Sequence, residues 1–330
     1  MSITLSENRL SEILESISSV RIGVLGDFCM DMYWYADMTR SELSRETPHF
    51  PLPIIAEKMS PGAAGNVAAN IAALKPASLT VFGAAGLDWR AQLLRDALAG
   101  LGAQVHMTEC PERSTNAYIK PMMKGISDVV YEAPRLDFEN DAELPAWAED
   151  QLIAALKDAA PDMDVLCVCD QRAKGCVTPR VRDAVAELAG QGLIVIVDSR
   201  DNIASYKNAI VKPNEIEAAR ALGQDVSPAE ACRMLAQKNG VPAIVTVGED
   251  GCWLSDGGEA QNIPPRKVEP PIDICGAGDT FLSAFACCLG GGAKPMEAAR
   301  IGNLASSVTI KKVGMTGTAA REEILSAAQG

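Results

Sequence analysis

Short, nearly unbroken apolar runs recur along the chain with helical patterns between them, and this alternation constrains the fold more than any other feature. Arg21–Asp27 (RIGVLGD), Leu79–Ala84, Asp164–Cys169, Leu193–Asp198, Ala209–Lys212 and Ala243–Val247 each read as a strand. A strand with one wet face alternates apolar and polar residues. These runs do not, so both faces of their sheet are covered. Helices read over Ala64–Leu74 and Trp89–Ala99, the second carrying Leu93, Leu94, Ala97 and Leu98 on one side. The expectation is an α/β fold with a mostly parallel sheet covered by helices.

Two stretches break the rhythm. Residues from about Trp34 to Lys58 contain Pro48, Pro51 and Pro53, and their β-prone residues are interrupted by polar ones. Residues from about Val105 to Leu136 read as short strands, such as Asn116–Met122 and Val129–Glu132, around Gly125. Together they are expected to form one small β-layer projecting from the main sheet. It reads either as a lid over a site at the strand ends or as a structural flap that pairs two copies, and the two are compatible.

The 330 residues suffice for one large α/β domain or two smaller ones. With 43 acidic residues against 30 basic, a net charge of −13 argues against nucleic acid or an anionic membrane as partner. A local cationic cluster could still bind a small anion. The ten cysteines include no C-x-x-C pair and fall largely in apolar runs, which reads as reduced core thiols in a cytoplasmic protein. Only His49 and His106 are present, so a histidine-based metal site or a Ser-His-Asp triad is not expected. No apolar stretch reaches the roughly 18 residues of a membrane span. The first residues, MSITLSENRLSEILESISSV, lack a secretory pattern and read as an amphipathic helix through Leu10, Ile13, Leu14 and Ile17.

The segment Asp273-Ile-Cys-Gly-Ala-Gly-Asp-Thr-Phe281 precedes an apolar helix with Phe281, Phe285 and Leu289 spaced by four. A turn of small residues at a helix start points unpaired N–H groups one way, at the positive end of the helix dipole. That geometry binds phosphate, and glycines let the backbone approach closely. Asp279 stands just inside it, where a carboxylate could take a proton from an attacking hydroxyl. Alone, the same turn is equally a helix cap.

Other segments add to it. Lys212-Pro-Asn-Glu-Ile-Glu217 follows a strand and opens a helix, with Asn214 and Glu217 facing the same way. They could hold hydrated Mg²⁺ beside a triphosphate, or form an ordinary capping box. Gly26-Asp27-Phe-Cys-Met-Asp31 follows the first strand, where open parallel sheets bind ligands, and Asp27 and Asp31 suit sugar hydroxyls or a simple turn. Pro61-Gly-Ala-Ala-Gly-Asn66 enters a helix, with Asn66 placed either to contact a polyol or within close helix–sheet packing.

With these residues in place, the chain resembles the ribokinase-like (PfkB) carbohydrate kinases from Arg21 to about Thr318. The carriers are the early motif at Gly62–Asn66, N-x-x-E at Asn214 and Glu217, and G-A-G-D at Gly276–Asp279. The resemblance implies a ribokinase-like three-layer sandwich forming one kinase domain over residues 1–330, with a lid from segments 34–58 and 105–136. It implies Asp279 as base, with Gly276, Ala277 and Gly278 as anion hole. Asp31 would hold the acceptor sugar, supported by Gly62 and Asn66. Thr246, Gly248 and Gly251 would line an ATP site, Asn303 would lie near the nucleotide base, and Asp273 would help bind a monovalent cation such as K⁺. Lid pairing in a homodimer is likewise implied.

Within that family the chain is similar to the heptose 7-phosphate kinases, the kinase half of the bifunctional ADP-heptose synthesis protein. The likeness rests on GDFCMDMYWYADMTR at Gly26–Arg40, SRETP and FPLP within Ser44–Pro53, VDSR at Val197–Arg200 and KPNEIEA at Lys212–Ala218. The chain departs in reading G-A-A-G-N where G-G-A-A-N is usual and Cys275 where Thr is common. Arg200 stands in place of a Lys in D-P-K-G, and the 330 residues read as holding no nucleotidyltransferase segment. For a phosphorylated acceptor, Arg40, Arg45, Arg113, Lys120, Lys124 and Arg200 are candidate cations, with Arg200 and Arg45 preferred. A nicotinamide oxidoreductase would need G-x-G-x-x-G after the first strand, and a Walker-type NTPase would need G-x-x-x-x-G-K-[ST]; neither occurs. Kinases of fructose, ribose, adenosine or another phosphosugar remain as alternatives, as does a non-catalytic binding protein on the same fold.

Overall fold

The computed structural model describes residues 5–127, 129–314 and 316–329; the first four residues of the N-terminal segment read above lie outside the described ones. Helix α1 (Glu7–Ser16) precedes strand β1 (Arg21–Gly26), followed by β2 (Phe28–Asp37), β3 (Ile54–Ala63) and helix α2 (Ala64–Ala73). The chain continues through β4 (Ser78–Ala85), α3 (Trp89–Gly100), β5 (Gln104–Glu109), β6 (Ala117–Lys124), β7 (Val130–Glu132) and β8 (Leu136–Phe138). Alternation resumes with α4 (Ala146–Ala159), β9 (Val165–Asp170), α5 (Pro179–Gly190), β10 (Ile194–Ser199), β11 (Ile210–Val211), α6 (Glu215–Leu222) and α7 (Pro228–Asn239). The last elements are β12 (Ala243–Thr246), β13 (Cys252–Ser255), β14 (Gln261–Ile263), α8 (Ala277–Gly290), α9 (Pro295–Thr309) and α10 (Arg321–Gln329).

The large sheet has the order β14-β13-β12-β11-β10-β9-β1-β4-β5. It is parallel from β12 to β5 and antiparallel at the β12–β13 and β13–β14 pairs. Strand β9 shows why its runs are continuous. Val165, Cys167 and Cys169 pack into one core with α1, α2, α3, α8 and α9, while Leu166 and Val168 pack into another with α4, α5 and α7. Successive side chains point to opposite faces, and each face meets helices. Nine of the ten cysteines are buried as free thiols and only Cys275 is exposed.

The small sheet has the order β3-β2-β6-β7, with β8 also on β6. The layer expected from the proline-broken stretches therefore exists, with shifted limits. Strand β5, at the start of the 105–136 stretch, pairs with β4 in the large sheet instead. Its small-sheet strands begin at Ala117, and β2 and β3 extend beyond residues 34–58 on both sides. Val105 and Met107, packed against the main core, were the signal that β5 belongs there. The chain crosses from β1 to β2 through the single residue Asp27 and from β3 into α2 with none between. Both crossings fall at the carboxyl end of β1, where ligands bind in open α/β sheets.

Candidate active site

Gly276 caps α8, and Asp279 lies in that helix's first turn. Gly276 has φ 78°, and a Cβ there would lie 2.6 Å from Thr316 Cγ2, so conformation and space both demand glycine. The Ala277 N–H is turned back to the Ile274 carbonyl at 3.2 Å. Ala277 therefore shapes the turn but is not the free donor expected of it. Among the described residues, the Gly278 and Asp279 N–H groups have no backbone partner, as befits a first turn. A Cβ at Gly278 would have the Lys212 ammonium as neighbour, 3.8 Å away, so the turn lies open toward a cation.

That cation was not singled out from sequence. Lys212 is buried and its Nζ lies 3.0 Å from Asp198 Oδ2, at the end of the neighbouring β10. Burial alone would lower the ammonium's pKa, but Asp198, Glu217 and Asp279 outweigh it and hold it above its ordinary value. Asp279 moves the other way for a carboxyl, up to about 7. Burial is the largest cause and Asp198 adds to it, while Lys212 and a side-chain hydrogen bond with Asn66 oppose it. Asn66 stands on α2, which is locked to α8 by the Thr280 hydroxyl donating to Asn70 Oδ1 at 2.9 Å. A carboxyl poised near neutrality beside open N–H donors and a buried cation is equipped to accept a proton next to an anion.

Asn214 and Glu217 form a capping box at α6: Asn214 Oδ1 accepts from the Glu217 N–H and Glu217 Oε2 from the Asn214 N–H, both at 2.9 Å. The box occupies Oε2 and leaves the second carboxylate oxygen of Glu217 without a hydrogen-bond donor among the described residues. Burial is the main cause raising the Glu217 pKa, so the group gains from a nearby cation. An oxygen donor of this kind fits hydrated Mg²⁺, which keeps most of its waters. Beside it, Thr246 donates its N–H to the Pro213 carbonyl at 3.0 Å, which brings the β12 end to the same corner. Gly248 (φ 54°) and Gly251 (φ 84°) shape the turn that follows.

On the small sheet, Asp31 lies in β2 above Gly62 of β3. A Cβ on Gly62 would come within 2.4 Å of Asp31 Oδ2, so this glycine makes room for the carboxylate. The next residue, Ala63, has φ 51°, a conformation that favours the glycine usual at that point. The displaced glycine, Gly65, meets Pro61, whose Cβ would lie 2.5 Å from an added methyl. Burial raises the Asp31 pKa, and Lys120, Arg135 and Arg172 pull it back. Of these only Lys120 was among the expected cations.

Four of the expected residues already have protein partners. Asp27 is buried, and its carboxylate accepts the N–H groups of Gln171 and Arg172 at 3.0 Å and Cys176 at 2.8 Å. It ties down the loop after β9 instead of facing a sugar, and burial raises it to about 6 against those bonds. Arg200, exposed, donates to Gln171 Oε1 at 3.2 Å and bears electrostatically on Glu217, not on Asp31. Asn303 spends its amide on the Ile263 carbonyl at 3.0 Å and the Pro264 carbonyl at 3.4 Å, fastening α9 to β14. Asp273 is likewise engaged, accepting from the Cys275 and Gly314 N–H groups at 3.0 Å each.

A layered sheet with a small second sheet over its carboxyl end, and a Gly-Ala-Gly-Asp helix start facing it, defines a class. The model of the pfkB family carbohydrate kinases matches residues 56–321, and the chain belongs to that family. It is a carbohydrate kinase. The chain is 32% identical over 98% of its length to the bifunctional protein HldE of Caulobacter sp. (strain K31). It is 34% identical over 93% of its length to that of Azorhizobium caulinodans. It spans 66% and 64% of those relatives, respectively. Among solved structures, it superposes on phosphofructokinase-2 from Escherichia coli in complex with substrates and products (TM-score 0.70, 21% identity, covering 94% of this chain and 99% of that one). Ribokinase of Arabidopsis thaliana complexed with ribose and ATP gives 0.66, at 19% identity over 94% and 99%. These likenesses establish the ribokinase-like fold. Among the described residues, no helix is long and apolar enough to cross a membrane.

Proposed function

We propose that the chain transfers the γ-phosphoryl group of ATP to a hydroxyl of a sugar phosphate, with a heptose 7-phosphate as the favoured acceptor. The observation that carries the reading is Asp279, raised to about 7 at a helix start whose N–H groups are open. When bound, ATP with Mg²⁺ supplies the phosphoryl group and neutralises its charge. Asp279 accepts the proton of the attacking hydroxyl, which Asp31 orients from the lid. The Gly278 and Asp279 N–H groups and the Lys212 ammonium face the charge that develops on the transferred group. Asn214 and Glu217 would hold the metal through its waters, and Thr246, Gly248 and Gly251 would border the nucleotide. The heptose preference draws support from the HldE relatives, whose names belong to longer proteins. A panel of heptose 7-phosphate, fructose 6-phosphate, fructose, ribose and adenosine, scored by ADP release, tests it. Activity confined to unphosphorylated acceptors would sink the sugar phosphate.

Two finer elements belong to the same reading. Phe50, Leu52, Ile54 and Ile55 are exposed at and before edge strand β3, which supports pairing of two copies through the lid. A single-chain mass in solution would refute that. Phosphofructokinase-2 from Escherichia coli has also been solved in complex with potassium. Asp273, at the turn leading into α8, is the proposed counterpart site, and equal rates in K⁺ and in a bulky organic cation would remove it.

A further inference from the structure

The loop after β9 carries an arginine that none of the expected site residues includes. Arg172 is fixed at its backbone by Asp27. Gly175, in the same loop, has no room for a side chain, since an added Cβ would lie 2.3 Å from Asp27 Oδ1. The loop is thus held by a buried carboxylate and cannot drift. The Arg172 side chain is only 14% exposed and reaches into the lid, where its guanidinium bonds the Tyr118 hydroxyl and lies 4.9 Å from the centre of that ring. Arg135 lies over the same ring at 4.3 Å, and Lys120 over Tyr33 at 4.8 Å. All three cations bear on Asp31.

Behind Arg172 is a cavity of about 170 Å³ lined by Arg172, Lys174, Asn116, Asn140, Glu139 and Ala173. The carboxylate that holds Arg172 there is Glu139, at 2.6 Å, and its own side chain is 55% exposed. Lys174 is held the same way by Glu143, which is 66% exposed. Both carboxylates have ample solvent to turn into, whereas Arg172 has little. An incoming anion therefore displaces Glu139 and leaves Arg172 in place, with its planar fork suited to phosphate.

We propose that Arg172, supported by Lys174 and the Asn116 amide, is the specificity-determining residue that binds the anionic, phosphorylated end of the acceptor in this cavity. The proposal rests on the reading that the acceptor's reacting end lies at Asp31 and Asp279. It places the far phosphate on the core loop, not on Arg200 or Arg45.

Calorimetric binding of fructose 6-phosphate and heptose 7-phosphate, each against its unphosphorylated sugar, tests this without turnover. Arg172→Met should weaken sugar phosphate binding about 10- to 100-fold and leave the parent sugar and ATP within about twofold. Arg172→Lys should recover part of the loss, and melting curves check that both variants fold. In turnover, the loss should appear in acceptor KM, with kcat little changed. Unchanged sugar phosphate binding in Arg172→Met would overturn the proposal, and so would equal weakening of both ligands. A wild-type protein that binds unphosphorylated sugars better would overturn it while leaving the kinase reading intact. Wild-type binding of neither class would overturn both.

Discussion

Replacing the Asp279 carboxyl, the proposed base, should make the protein more stable, and the gain should depend on pH in a defined direction. Asp279 moves from 3.8 to about 7 on folding because it is covered and faces Asp198. A group with a raised folded pKa binds its proton more tightly in the native state. Stability therefore falls as pH rises from about 4, and the loss is complete above about 7. At 1.36 kcal/mol per pH unit, the ionised carboxylate costs the native state up to about 4 kcal/mol. Asp279 is only partly covered, so solvent screening reduces this to about 2–4 kcal/mol. Asp279→Asn keeps an acceptor for Asn66 and removes the charge. For a chain of this length, its melting temperature at pH 8 should exceed that of the wild type by about 3–6 °C. The gap should close by pH 4.5. Activity should meanwhile fall about 10²–10⁴-fold, and the wild-type rate should drop about tenfold per unit on the acid side of pH 7. Calorimetric melting at both pH values, with ADP release on the active acceptor, measures all three. Equal melting temperatures at pH 8, or a gap that does not change with pH, would refute the electrostatic account. Normal turnover by the variant would remove Asp279 as base.

Gly276→Ala forces a side chain into φ 78° and against Thr316. It should lower the melting temperature by about 2–4 °C and raise the KM for ATP, and an unchanged KM would show that the turn is not where phosphate sits. Ala63→Gly relieves an alanine at φ 51° at the lid–core junction. After the added flexibility of the unfolded glycine chain, a gain of up to about 1 kcal/mol remains, read as a rise of about 1–2 °C. A fall in melting temperature would show that the backbone there is not strained.

The sheet was legible because each core strand is covered on both faces and so carries an unbroken apolar run. The helix start at Gly276–Asp279 was legible because a small-residue turn ahead of an apolar helix leaves few other local structures open. What stayed hidden depends on contacts across the fold. Asp27 and Asp31 look alike in sequence, four residues apart at a strand end. Only the loop after β9 shows that the first is consumed by backbone N–H groups. Strand β5 lies within the stretch that sequence assigned to the lid, yet its partner is β4. Arg172 and Arg135 carry no local mark, because what singles them out is a shared tyrosine ring contributed by β6. Lys212 read as the last residue before a proline, and its partner Asp198 lies on the neighbouring strand. Asn303 had a role implied by likeness alone, and its amide turned out to be holding α9 to β14.

The division of the molecule into two sheets bears on how such a chain diversifies. Asp279 and Gly276–Gly278 belong to a helix packed under the large sheet, whereas Asp31, Tyr118, Lys120 and Arg135 belong to the small one or its connections. The two meet through one residue at Asp27 and directly at Ala63. If the proposed roles hold, substitutions on the small sheet retune which molecule is taken up and leave the proposed transfer groups in place. For engineering, libraries confined to β6, Arg172 and Lys174 should explore new acceptors while sparing Asp31, Asp279 and the packed Gly175.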